Sequence, residues 1–71
     1  MMRHAVMTFD LDKEKCLYES RHQTAESAYE EYKDIIGNLR RNLPIGEKVT
    51  VARYNDGDLM TCETVEGGKA V

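Results

Sequence analysis

The chain has 71 residues, with 13 acidic and 10 basic side chains and a net charge of −3, which leaves room for one thin-cored domain and no second. No third of the sequence is net positive, which argues against a nucleic-acid-binding surface. No apolar run is long enough for a signal peptide or a membrane span, so the expected setting is the cytoplasm, away from membranes.

Residues 3–9 alternate in type, with Ala5, Met7 and Phe9 on one side and His4, Val6 and Thr8 on the other, the period-two signature of a half-buried strand. Residues 15–22 form a second strand. Pairing Phe9 with Cys16, Met7 with Tyr18, Ala5 with Ser20 and Arg3 with His22 makes the apolar sides coincide. Either a two-residue loop at Asp12-Lys13 or a four-residue loop from Leu11 to Glu14 accommodates that register.

Thr24 is a good helix N-cap. Ala25, Ala28, Tyr29, Tyr32, Ile36, Leu39 and Leu43 then recur at three- and four-residue steps and draw one apolar stripe along a helix. Acidic residues cluster toward its start and Arg40 and Arg41 toward its end, in the favourable sense for the helix dipole. Gly37 is expected to let the helix approach the sheet closely, Asn42 to take the left-handed cap, and Pro44 to end the helix near Leu43. Two further strands, EKVTVARY and LMTCETV, flank Asp56-Gly57, the strongest hairpin signal in the chain. That turn pairs Val49 with Thr64, Val51 with Cys62, Arg53 with Met60, Ala52 with Thr61 and Tyr54 with Leu59.

The order predicts a two-layer α+β domain, ββαββ, over residues 1–66, with a flexible tail at 67–71. Its four-stranded antiparallel sheet carries one helix on one face. Met7, Phe9, Cys16, Tyr18, Val49, Val51, Met60 and Cys62 are expected beneath that helix. Val6, Leu17, Ala52, Tyr54, Leu59 and Val65 are expected on the uncovered side.

Chemistry has few candidates. Arg3, His4, Arg21 and His22 meet at one end of the first hairpin, and strict alternation places the two histidines on opposite faces, which disfavours a metal site. Cys16 lies six residues from His22 along one strand, about 20 Å at the usual rise, too far for a nucleophilic dyad. Cys16 and Cys62 lack the spacing of a zinc knuckle or a redox pair and are expected to be reduced, half-buried thiols. The sequence therefore predicts no catalytic residue, no metal and no cofactor.

The expected function is that of a small non-enzymatic protein-binding module of adaptor or inhibitor type, with homodimerisation as one form of it. Val6, Leu17, Tyr54 and Leu59 on the open sheet face are the expected contact residues. The acidic helix face of Glu26, Glu30, Glu31 and Asp34 is a second docking surface. The alternative is a phosphate or nucleic-acid ligand held by Arg3, Arg21 and His22 beside the helix start.

Overall fold

The computed structural model describes residues 3–68. The chain runs β1 (His4–Asp10), β2 (Lys15–His22), α1 (Ala25–Asn42), β3 (Lys48–Asn55) and β4 (Asp58–Glu66). The four strands form one antiparallel sheet in the order β2-β1-β3-β4. This is the expected ββαββ architecture, and it adds the strand order: α1 carries the chain from the edge strand β2 across β1, so that β3 pairs with the far side of β1.

Both hairpins close as local chemistry dictates. Asp56 and Gly57 have φ of 56° and 88°, the positive values that a type I′ turn needs at both central positions. The first hairpin takes the four-residue option. Glu14 donates its N–H to the Leu11 carbonyl at 3.2 Å and adopts φ 53°, while Lys13 N–H donates to the Asp10 carboxylate at 3.2 Å.

Each edge strand carries a bulge. In β2, Phe9 pairs with Cys16 but Thr8 pairs with Tyr18, so Leu17 is the extra residue. In β4, Tyr54 pairs with Leu59 but Arg53 pairs with Thr61, so Met60 is extra. Beyond each bulge the strand shifts by one position against the strict alternation expected from sequence. Val51 therefore faces Glu63, Ala52 faces Cys62 and Val49 faces Val65.

The helix covers the side of β1 that carries Val6 and Thr8. Val6 and Val51 are fully buried and cluster with Ala28, Tyr32, Ile36 and Val65, with Ile35, Leu39 and Leu43 packed against them. This reverses the expected assignment of β1. Ala5, Met7 and Phe9 face away from α1, as does Cys62, while Val6 and Val65 belong to the core. The physical reason is volume: an 18-residue helix lying close on a sheet fits β-branched Val6, Thr8 and Val51 beneath it. The bulkier Met7 and Phe9 are left to the other side.

Helix α1 begins as the sequence predicts, with the Thr24 hydroxyl accepting the Ser27 N–H at 3.1 Å. Its end differs from expectation. Leu43, in extended geometry, is the C-cap, and Asn42 stays helical with its amide donating to the Asn38 carbonyl at 3.1 Å. Tyr29, expected in the stripe, is 46% exposed.

Gly37 does not mediate a close approach to the sheet. A Cβ there would meet only the Arg41 side chain, at 3.5 Å. Gly37→Ala is therefore expected to raise stability by about 0.5–1 kcal/mol, read as an upward shift in the denaturant midpoint. A drop would show that the helix needs this glycine for a reason other than space.

The first residue of the expected tail makes a contact with the loop before β3. Gly67 donates its N–H to the Glu47 carbonyl at 2.7 Å, and a Cβ at Gly67 would collide with the Pro44 carbonyl, so the chain lies flat against the loop before β3. Residues 69–71 of that tail lie outside the described residues.

Candidate partner-binding face

The sheet side turned away from α1 is built by alternation from all four strands. β1 contributes Ala5, Met7 and Phe9, and β3 contributes Thr50, Ala52 and Tyr54. Outside the bulges, β2 adds Cys16, Glu19 and Arg21, and β4 adds Leu59, Cys62 and Thr64. Phe9, Leu11, Thr50, Ala52, Tyr54, Leu59 and Cys62 line a shallow apolar groove of about 280 Å³. Ala52 is only 2% exposed although α1 lies on the other side of the sheet.

Tyr54 and Leu59 thus stand where the sequence places them, on the uncovered face. Val6 does not: it is 0% exposed beneath α1 and offers nothing to a partner. Leu17 is also misplaced. Its bulge turns it to the helix side, where it lines a second groove of about 260 Å³ with Thr8, Tyr18, Ile35, Leu39 and Val49. Sequence reasoning missed Met7, Phe9 and Cys62 as residues of the open face because their hydrophobicity assigned them to the core.

The charged groups on this face sit at opposite corners. Arg21 Nη2 pairs with Glu19 Oε2 at 2.8 Å on β2, and Lys48 is the cross-strand partner of Glu66 at the far end of β3 and β4. Asp12 lies beside Lys48, Thr50 and Thr64 at that end, so charges of both signs rim the face.

The opposite side of the sheet holds a polar cluster between β2 and the first turns of α1. His22 Nε2 lies 2.8 Å from Glu31 Oε1, and its Nδ1 lies 2.6 Å from the Ser27 hydroxyl. Tyr18 donates its hydroxyl to Glu31 Oε2 at 2.8 Å, and Ser20 also donates to the Glu31 carboxylate. Burial works to raise the Glu31 pKa, but the hydrogen bonds from Ser20, His22 and Tyr18 outweigh it and hold the carboxyl below its ordinary value. The Tyr18 hydroxyl is pushed up, chiefly by the hydrogen bond to Glu31. Every one of these side-chain bonds to Glu31 ties an edge strand to the helix.

His4 and His22 are direct cross-strand partners, so they share the helix-facing side, contrary to the opposite faces expected from alternation. The bulge at Leu17 accounts for the change. Both ring nitrogens of His22 are engaged by Ser27 and Glu31. Among the described residues no grouping of three or more His, Cys, Asp or Glu side chains is placed to hold a metal ion.

The cationic corner expected from Arg3, Arg21 and His22 is not assembled. Arg21 points to the open face and pairs with Glu19, His22 points to the helix side and pairs with Glu31, and Arg3 is exposed before β1. Two other cations converge instead: Lys33 Nζ lies 4.9 Å and Arg53 Cζ 5.5 Å from the centre of the Tyr29 ring. Cys16 and Cys62 are exposed and unpaired, on the face opposite the histidines.

No helix among the described residues is long and apolar enough to cross a membrane. Compared with protein-family models, curated proteins and solved structures, the chain matches none of them.

Proposed function

We propose that the protein is a small protein-binding module of adaptor or inhibitor type, whose docking surface is the uncovered sheet face around Phe9, Tyr54 and Leu59. One observation carries this reading: β1 turns its bulkier apolar side, Met7 and Phe9, away from α1 and keeps Val6 and Thr8 beneath it. Scattered apolar residues on a surface need no explanation. A contiguous set drawn from neighbouring strands, with a groove at its centre and charged groups at its corners, has the apolar core and polar rim of an association surface.

The other surfaces are less suited. Glu31 is drawn out of the acidic helix face into the cluster with Tyr18, Ser20 and His22. On the last turns Arg40 pairs with Glu63 at 2.6 Å. Action by contact and not by catalysis fits the separation of the two thiols from the two histidines by the thickness of the sheet.

The test is affinity capture from the native host with the wild-type chain, Tyr54→Glu, and Ile45→Glu as a control on an 87% exposed side chain off this face. Tyr54→Glu is expected to reduce the captured protein about tenfold or more, as for an aromatic anchor at an interface, and Ile45→Glu to leave it unchanged. Equal capture by all three chains would rule out the sheet face as the docking surface.

A further inference from the structure

We infer that Ser27 is a covalent acceptor site, its hydroxyl activated by His22 with Glu31 behind it, and that it takes acyl groups from activated esters. The site goes beyond the docking reading and does not depend on it, because it lies between β2 and α1, on the side of the sheet away from the open face. Three observations carry it.

The first is the direction of the hydrogen bonds. Glu31 is an ionised carboxylate at neutral pH, held so by its donors, and an ionised carboxylate only accepts. His22 Nε2, 2.8 Å from Glu31 Oε1, therefore carries the proton of the neutral ring, and Nδ1 is a bare lone pair. The partner of Nδ1 at 2.6 Å is the Ser27 hydroxyl, which must donate. Hydroxyl, imidazole and carboxylate thus form one chain, the arrangement that activates a serine on unrelated folds. Here Nδ1 is the base and Nε2 faces the acid, and either nitrogen serves as base when it is the one without the proton.

The second is the contrast in exposure. The His22 and Glu31 side chains are 17% and 27% exposed, and Tyr18 and Ser20 also donate to Glu31, so the carboxylate is fixed and the ring is oriented by it. Ser27 is exposed, and a carbonyl carbon can reach its oxygen from solvent.

The third is the place of Ser27 in the helix. Thr24 takes the Ser27 N–H with its hydroxyl and the Ala28 N–H with its carbonyl. The N–H groups of Ala25 and Glu26, at the start of the same turn, have no intrahelical partner and point toward the helix N-terminus. The side chain of Ser27 leans the same way. An oxyanion forming on an ester bound at Ser27 is met there by these donors and by the positive end of the helix dipole.

In the step itself Ser27 Oγ attacks the carbonyl carbon of the ester while its proton passes to His22 Nδ1, and Glu31 stabilises the resulting imidazolium. As the tetrahedral adduct collapses, the bond from carbon to the departing oxygen breaks and that oxygen takes the proton back from Nδ1. The products are an ester at Ser27 and a free alcohol or phenol.

The experiment uses a chain carrying Cys16→Ser and Cys62→Ser, so that the two exposed thiols do not take the label, and p-nitrophenyl acetate at neutral pH as the donor. Released p-nitrophenolate gives the rate, and peptide mass spectrometry locates the acetyl group. Ser27 is expected to be acetylated about a hundredfold faster than Ser20 or Thr24, the usual scale of general-base assistance. Ser27→Ala is expected to abolish the fast phase and His22→Gln to slow it by a similar factor, with folding checked by circular dichroism. Should His22→Gln fail to fold, the parent chain in urea supplies the second readout, where the preference for Ser27 is expected to vanish. Acetyl groups spread over the lysines with no preference for Ser27 overturn the inference. So does a fast phase that survives Ser27→Ala, a Ser27 rate unchanged in a folded His22→Gln chain, or a preference for Ser27 that persists in urea.

Discussion

Val6→Glu is expected to leave the chain unfolded, whereas Met7→Glu, one residue along the same strand, leaves it folded. Val6 is fully buried among Ala28, Tyr32, Ile36 and Val51, so a carboxylate there has no solvent and no hydrogen-bond partner. An unpaired buried charge costs about 3–5 kcal/mol or more. A domain of this size has a total stability of about 4–10 kcal/mol, so most or all of it is lost. Met7 faces the uncovered side of β1, and a carboxylate there stays in water, at a cost of about 1 kcal/mol or less. Circular dichroism and a urea titration on the two variants read the difference directly. The opposite result would mean that α1 covers the other face of the sheet.

Glu31→Gln is the second large effect, expected to lower stability by about 1–3 kcal/mol at neutral pH. The carboxylate accepts hydrogen bonds from Tyr18, Ser20 and His22, and an amide cannot accept from all of them with both ends. The same group sets an acid limit. Its pKa in the folded chain lies below the ordinary value of 4.5, so the folded state binds this proton less tightly than the unfolded state does. The stabilisation is therefore fully present above pH 4.5 and is lost as pH falls through the lower folded value. Wild type should lose stability over that acid interval, and Glu31→Gln should lose less over the same interval. Parallel pH profiles for the two chains would show that the Glu31 cluster contributes nothing to acid sensitivity.

The elements were legible in the sequence because their signals are local. Thr24, Pro44 and Asp56-Gly57 mark boundaries through local chemistry, a side-chain cap in the first case and backbone geometry in the others, and each acts in the structure as that chemistry requires. The faces were not legible, for two separate reasons. On β1 both sides are apolar, and the more hydrophobic side is the one the helix leaves open. On β2 and β4 a bulge at Leu17 or Met60 shifts every later pairing by one, and no glycine or proline announces it. One extra residue was enough to bring His4 and His22 to the same side and to send Cys62 away from the helix. Of the expected contact residues, Tyr54 and Leu59 lie on the open face because their pairing precedes the β4 bulge, whereas Leu17 is itself the bulged residue.

The positions of those two bulges have a further effect on how the molecule can assemble. A sheet with straight outer strands can be extended indefinitely by adding copies along its edges, which leads to filaments. Here β2 and β4 are the outer strands, and each is bent and twisted partway along its length, so an incoming strand would lose its hydrogen-bonding partners at that point. With both rims interrupted in this way, neither edge offers an unbroken template for strand addition.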